Sequence, residues 1–410
     1  MSGRLLLRRT ACYTCTAILR GSLAARGARA AGRAGAADMK VASRVPAKVL
    51  VATVLFAISL PAFYQQTLGT AKSDFPLHFG NVLTDTRSVT PYYSILWFLV
   101  TGLYWAGANY LTVGWIAIVL CSVCVALKGM LSFDILSNDN ERLALPACIA
   151  IALAFVMPIV NWWNYKFVYL GQIAPTIWHN STTILVMPVV IHLFSASSRS
   201  LGAPSTRNAV LTSALCALSA IIKPNYAVAL LPVLVPWYCC TAFTSGMSAQ
   251  RVAGHVAIVI GPVMGVLLGQ WLVLTSYTAF TIAPFGVWTL ISPNPLASLM
   301  LSVAFPVAVS ILYRERWRGN VAFILAWAVF AAALMEFILL AEEEWTGRFQ
   351  AANFLWGAGI ALYLVFQTCA DTFFRQAMSI RFVLALTLFL AHLASGIYYF
   401  WRIVSGLGFR

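Results

Sequence analysis

Acidic residues are scarce. The 410-residue chain has 12 Asp and Glu against 27 Lys and Arg, and only 10% of its residues are charged. Soluble domains carry roughly 25%, so this chain cannot cover a globular surface and lipid must be its solvent. It also lacks GxSxG, HExxH, Walker A and dinucleotide-binding fingerprints, which argues against the sites those motifs build. No cytoplasmic segment is long enough to form a nucleotide-sugar-binding domain. There is no repeat with a period of about 20–50 residues, and no duplication that points to an inverted-repeat transporter.

Apolar residues dominate, at 61% with a mean hydropathy of +0.83. The apolar runs match a hydrocarbon core of ~30 Å and are too long and continuous for barrel strands, which are short and alternate in polarity. The expected fold is an all-α polytopic transmembrane bundle of about eleven spans: 47–64, 112–131, 145–162, 180–196, 208–222, 226–243, 253–274, 296–313, 320–340, 351–369 and 382–401. It divides into a basic N-terminal segment (1–45), a transmembrane domain (46–403) and a short tail (404–410). Residues 1–38 are rich in Arg and Ala, with no acid before Asp38. They resemble a transit peptide in composition, but Met39-Lys40 makes a conventional lead-in to the first span, and an early gene start is the favoured reading.

The net charge of +15 does not imply nucleic acid, because ten of the 27 basic residues precede residue 49 and most others lie in short loops. That pattern signals topology and contact with anionic lipid headgroups. The nine cysteines include CxxC pairs at Cys12/Cys15 and Cys121/Cys124. Neither has a second pair or a nearby pair of histidines, so packing explains them better than zinc.

Topology turns on PYYSILWFLVTGLYWAGANY, residues 91–110. If this aromatic stretch lies along the interface, Lys128, Arg142, Arg199, Arg207, Arg251, Arg314, Arg316, Arg318, Arg375 and Arg381 fall inside, and Lys166, Lys223, Arg348, Arg402 and Arg410 outside. If it crosses, the counts reverse. The positive-inside rule selects the interfacial reading, with the N-terminus inside. Loops 65–111, 163–179, 275–295 and 341–350, with the turn at 223–225, then share the outer face, and they carry most of the reactive polar residues.

In AKSDFPLHFGN, residues 71–81, Asp74 and His78 stand four apart between Pro76 and Gly80. On a helical turn they would face one way, although a lone loop aspartate is usually just solvated. Lys223, in IIKPNY, either snorkels to headgroups or meets a phosphate. Arg348, in EEEWTGRFQ, suits phosphate oxygens or ties down its own loop by pairing with Glu342, Glu343 or Glu344. His179 and Asn180 sit at a membrane boundary and could hydrogen-bond a sugar or phosphate. Asn180-Ser181-Thr182 is a glycosylation sequon placed too close to the membrane to serve as an acceptor. Glu336 is an ionisable group inside a span, one turn from its outer end, and so a functional candidate. His192, His255 and His392 read as packing or helix–helix contacts.

SDFPLHF just after the first span, followed by a proline-led aromatic interfacial stretch, resembles the first outer loop of the GT-C glycosyltransferases, and the order of spans and loops is similar over most of residues 45–402. The resemblance implies a membrane enzyme that moves a sugar from a polyprenyl-phosphate carrier to a glycan, lipid or protein acceptor, with juxtamembrane helices in the first loop. It implies Asp74 as the base, and the KP dipeptide at 223–224 looks similar to one at the corresponding hairpin of many GT-C sequences. Lys223 and Arg348 would hold the donor phosphate, and His78, His179, Asn180 and Glu336 would line the substrate site. Direct displacement would invert the anomeric centre. No cofactor is expected. Asp74 and Glu336 could offer two oxygens to a divalent cation, yet nothing in the sequence brings them together. A bacterial cytoplasmic membrane is favoured because nothing resembles a retention signal for the endoplasmic reticulum. A transporter or lipid flippase is the alternative, then a polysaccharide polymerase or ligase.

Overall fold

The computed structural model describes residues 34–80, 94–138, 143–160, 169, 171–244, 246–274, 278–344 and 352–407. In chain order its helices begin with α1 (Ala34–Thr67), α2 (Phe75–Gly80), α3 (Ile95–Trp105), α4 (Tyr110–Leu136) and α5 (Ala144–Leu153). They continue with α6 (Ser181–Gly202), α7 (Thr206–Ile222), α8 (Asn225–Thr244) and α9 (Ala249–Leu274). After strand β1 (Thr278–Ile282) come α10 (Gly286–Ile291), α11 (Pro295–Leu312), α12 (Arg314–Trp317) and α13 (Val321–Leu339). Strand β2 (Leu340–Glu344), α14 (Asn353–Phe373) and α15 (Ile380–Val404) complete the order. The chain is an all-α polytopic bundle, and the two strands pair antiparallel from Thr278↔Glu344 to Ile282↔Leu340. This ribbon joins two expected loops, 275–295 and 341–350, and is the one departure from helix among the described elements.

Nine of the described helices, α1, α4, α6, α8, α9, α11, α13, α14 and α15, are long and apolar enough to cross a bilayer. The starts of α4, α6, α7, α11, α13 and α15 are set by Asn109, Asn180, Ser205, Asn294, Asn320 and Ser379, whose side-chain oxygens accept backbone N–H groups. These caps satisfy donors that a helix start otherwise leaves open. The other two expected spans are shorter: 208–222 is α7, of 17 residues, and 145–162 is not a continuous helix at all.

The first expected loop returns to the end it leaves. Lys48 pairs with Asp134 at 2.6 Å, and Arg44 donates to the Ser137 carbonyl at 2.9 Å. At the opposite end, Tyr110 Oη donates to the Thr67 carbonyl at 3.0 Å. Helices α1 and α4 are therefore antiparallel, packed closely where Gly129 meets Leu55 and Val51 and Gly114 meets Leu68, as small residues permit. Helix α3, with 11 residues, is about 16 Å long and too short to cross. Tyr104 Oη ties it to the Phe79 carbonyl at 2.7 Å, and Ser94 Oγ ties its start to the Ile222 carbonyl at 2.8 Å. Helix α3 is thus a short helix tied to the end of the bundle where α1 ends and α4 begins.

Helix α5 stops at Leu153, and buried non-helical chain continues to Val160. The expected span failed here because Pro158 follows and because other side chains meet the freed backbone groups. Met157 N–H donates to the His392 carbonyl (3.2 Å) and Ile159 N–H to the Leu301 carbonyl (3.0 Å). The carbonyls of Leu153, Met157, Pro158 and Ile159 accept from Thr176 Oγ1, His392 Nδ1, Ser395 Oγ and Gln172 Nε2. Pro188, Pro262 and Pro306, by contrast, stay inside continuous helices. A Cβ on Gly396 would lie 1.3 Å from the Phe155 carbonyl oxygen. Gly396→Ala is therefore expected to lower stability by on the order of 3 kcal/mol or more. Gly254→Ala, on α9 with nothing within 4 Å of its Cβ, is neutral or stabilising; thermal unfolding of both variants in detergent compares them.

Candidate functional site

Two segments meet at the end of the bundle opposite Lys48 and Asp134. One follows α1, where Gln66 Nε2 donates to the Trp178 carbonyl at 2.9 Å and Ser73 Oγ donates to the Gln66 carbonyl at 3.1 Å. Asp74 then precedes α2, and His78 N–H bonds to its carbonyl at 3.0 Å. The expected helical turn exists, and both side chains reach the second segment, residues 178–183. Asp74 N–H donates to the His179 carbonyl (3.2 Å), Asp74 Oδ2 accepts from Asn180 Nδ2 (3.0 Å), and His78 Nδ1 meets Ser181 Oγ (2.7 Å).

Asn180 is fixed by its own helix. As the N-cap of α6 its Oδ1 accepts from Thr183 N–H at 3.0 Å. That assigns oxygen to the cap and leaves the NH₂ facing Asp74, so the Asp74 carboxylate oxygen is the acceptor. Thr182 and Thr183 hydroxyls also point donors at Oδ1, each at 2.9 Å.

Lys223 completes the cluster. It precedes Pro224, which disfavours helix at the preceding residue, and its backbone is extended (φ −157°, ψ 113°). The side chain turns inward, 5% exposed, and its Nζ donates to Thr182 Oγ1 at 3.0 Å and Asn180 Oδ1 at 3.3 Å. The Trp356 ring lies 5.4 Å from the ammonium. Burial pushes the Lys223 amine down to about 8, while the charges of Asp74 and Glu342 push it back up. The structure thus removes the headgroup-snorkelling reading of Lys223. Burial also lowers His78 to about 4, against the raising effect of Asp74 and with a further lowering from Lys223, so the imidazole is neutral near pH 7.

His179 Nδ1 meets Tyr399 Oη at 2.7 Å, and its ring packs edge-on to Trp356, with centroids 5.5 Å apart. Asp74, His78, His179, Asn180 and Lys223 are therefore one connected site. Glu336 is not part of it: half-buried in α13, its side chain makes no hydrogen bond or ion pair among the described residues. Arg348 lies outside the described residues, as do Asp85 and Arg87. The carboxylate that acts on Lys223 beside Asp74 is Glu342, held by Asn353 Nδ2, and Asn225 Nδ2 holds the Asn353 carbonyl at 2.7 Å. The sequence offers Glu342 only as a partner for Arg348 and Ser181 and Thr182 only as part of a sequon, and it does not single out Trp356 or Tyr399. The capping pattern Asn-Ser-Thr-Thr was a usable signal for Ser181 and Thr182.

The described residues hold no group of three or more His, Cys, Asp or Glu suited to a metal ion. Comparison of the chain with family profiles, curated proteins and solved structures gives no match. The arrangement itself offers a carboxylate oxygen with one neutral donor on it, an ammonium about one amide away, and hydroxyls and rings between: groups able to accept a proton and to meet an anion side by side.

Asn180→Asp tests this wiring. It keeps the helix cap but sets a second carboxylate against Asp74, and two carboxylates at that distance resist joint ionisation. The pair's raised folded-state pKa favours the folded state at low pH, and that favour is lost as pH rises through it. The thermal-stability gap to wild type is expected to widen from about pH 5 to about pH 8, whereas Asn180→Ser, which also caps, shows no such trend.

Proposed function

We propose that the chain is a membrane glycosyltransferase of GT-C type, moving a sugar from a polyprenyl-phosphate donor to an acceptor hydroxyl at the outer face, in a bacterial cytoplasmic membrane. The observation that carries this reading is the bridging of Asp74 and the buried Lys223 ammonium by the single side chain of Asn180 at a membrane-boundary end of the bundle. Displacement of a lipid phosphate from the anomeric carbon requires a base within reach of the acceptor hydroxyl and fixed positive charge for the departing phosphate. On this reading Asp74 takes the hydroxyl proton, and inversion follows from direct attack. Lys223, with Thr182 beside it, meets the phosphate. His78, neutral and bonded to Ser181, and His179, held by Tyr399, orient the sugar. The basic end of the bundle, with Arg199, Arg251, Arg314 and Arg381, faces the cytoplasm by the positive-inside rule.

The decisive assay is transfer from labelled polyprenyl-phosphate sugars by the purified protein in lipid. Asp74→Asn is expected to lower kcat about 10²–10⁴-fold with donor affinity held within about threefold; full activity in that variant removes Asp74 as base. A second reading, a lipid transporter, draws support from the interrupted span at residues 144–160, since discontinuous helices line many transport sites. Donor movement across vesicles without transfer would favour it.

Lys223 adds a pH signature. Its ammonium is lost as pH rises through about 8, so donor affinity should fall up to tenfold per unit above that point, less where bound phosphate holds the proton on. Lys223→Arg keeps its charge, and its affinity profile should be flat over the same range; a sloping wild-type-like profile in that variant would show that another group titrates.

A further inference from the structure

The proposed site leaves a second buried lysine, Lys128, without a role. Charge counting placed Lys128 at the inner end of its span, but α4 runs on to Leu136, so Lys128 lies two turns within it and is only 6% exposed. Its Nζ donates to Thr176 Oγ1 at 3.4 Å and stands 3.8 Å above the centre of the Tyr363 ring. Ser132, bonded to Tyr363 Oη at 2.7 Å, fixes that ring. No carboxylate pairs with Lys128 among the described residues. A ring face stabilises an ammonium, yet offsets only part of the cost of burying one.

A cavity of about 20 Å³ opens beside Lys128, bounded also by Thr176, Trp178 and Thr183, with apolar walls from Val125, Met187 and others. The Trp178 indole N–H is buried with no partner among the described residues, and Trp178 is 1% exposed. The two threonine hydroxyls already donate elsewhere, Thr176 to the Leu153 carbonyl and Thr183 to Asn180. Of the groups that line this space, the Trp178 indole N–H lacks a partner and the Lys128 amine, held by one long hydrogen bond and a ring face, has donor capacity left, whereas the two hydroxyls have only acceptor capacity to spare. The space admits one or two water-sized particles, too few for a phosphate or carboxylate group with its substituent, and its apolar wall suits a weakly hydrated ion.

We propose that the cavity beside Lys128 is a binding site for one small monovalent anion of the halide class, held by the Lys128 ammonium and the Trp178 indole N–H. The ion supplies the charge balance that lets an ammonium stay inside the bundle, and it would brace α4 against the non-helical 173–178 segment. The proposal is independent of sugar transfer, since none of its groups is assigned a part in the proposed reaction.

The test is thermal unfolding of the purified full chain in detergent, titrating sodium chloride against sodium gluconate at constant ionic strength. Wild type should show a saturable rise in Tm of about 3–6 °C with chloride. Lys128→Met should abolish the rise, while Lys223→Met should keep it, separating this cavity from the outer cluster. Trp178→Phe keeps the ring and removes the N–H, and should raise the half-saturating chloride at least several-fold. No chloride response in wild type, or an undiminished one in Lys128→Met, overturns the proposal. Should Lys128→Met fail to fold, Trp178→Phe decides alone, and an unchanged half-saturation overturns it.

Discussion

Everything at the candidate site depends on a stretch of backbone that is not helical and is nevertheless buried. In lipid a peptide group has no water to bond, so chain that leaves a helix inside a bundle survives only where protein groups replace the lost partners. Residues 154–160 meet that condition through α11, α15 and their own downstream chain. His392 serves twice: its backbone carbonyl accepts from Met157 N–H and its Nδ1 donates to the Met157 carbonyl. With Nδ1 as donor, Nε2 is the acceptor, which is the role it takes toward Phe305 N–H at 3.4 Å. Farther along, Ile173 N–H reaches Ser302 Oγ and Trp288 Nε1 reaches the Gly171 carbonyl. Gly171, at φ +81° and against Ser292 and Ile291, tolerates no side chain there. These contacts anchor the chain that leads to Trp178, His179 and Asn180, which meet Gln66 and Asp74.

Asn180 then converts a helix start into an electrostatic junction. One oxygen serves the cap of α6 and the Lys223 ammonium, and one NH₂ serves the Asp74 carboxylate. An N-cap stabilises by about 1 kcal/mol and a hydrogen bond to a charged group by about 1.5–3 kcal/mol. Because both uses draw on one rotamer, the amide cannot turn without losing all of them. The neutral spacer also stands between carboxylate and ammonium in place of a direct ion pair.

Much of this was legible from residues alone, and the boundary of legibility is physical. Apolar run length and charge asymmetry set the helices, the return of the first loop and the gathering of polar groups at one end, because membrane thickness and headgroup charge act on composition rather than on contacts. Asp74 and His78 could be paired from i, i+4 spacing. Lys223 could be nominated but not understood: whether a boundary lysine snorkels or turns inward depends on acceptors more than 40 residues away, Thr182 and Asn180. The break after Leu153 was hidden for a similar reason. Its partners His392 and Ser395 are over 230 residues distant, and a buried non-helical run reads in sequence as any other apolar run.

The two buried lysines show how one residue type takes different work from its surroundings. Lys223 stands at a helix end, with Asp74 and Glu342 near enough to support its charge, and it faces the side where hydroxyl-bearing and charged groups gather. Lys128 stands within a helix, with a ring and a hydroxyl as its described partners. The end of a helix is where backbone polarity, loop carboxylates and water all become available, so an ammonium there can hold its proton yet remain able to exchange partners when an anionic ligand arrives. Inside the bundle no such exchange is at hand, and an ammonium there is either matched by a fixed partner or gives up its proton. That difference is why the cluster at Asn180 could exchange a ligand, and why any ligand of the cavity beside Lys128 would act as part of the fold.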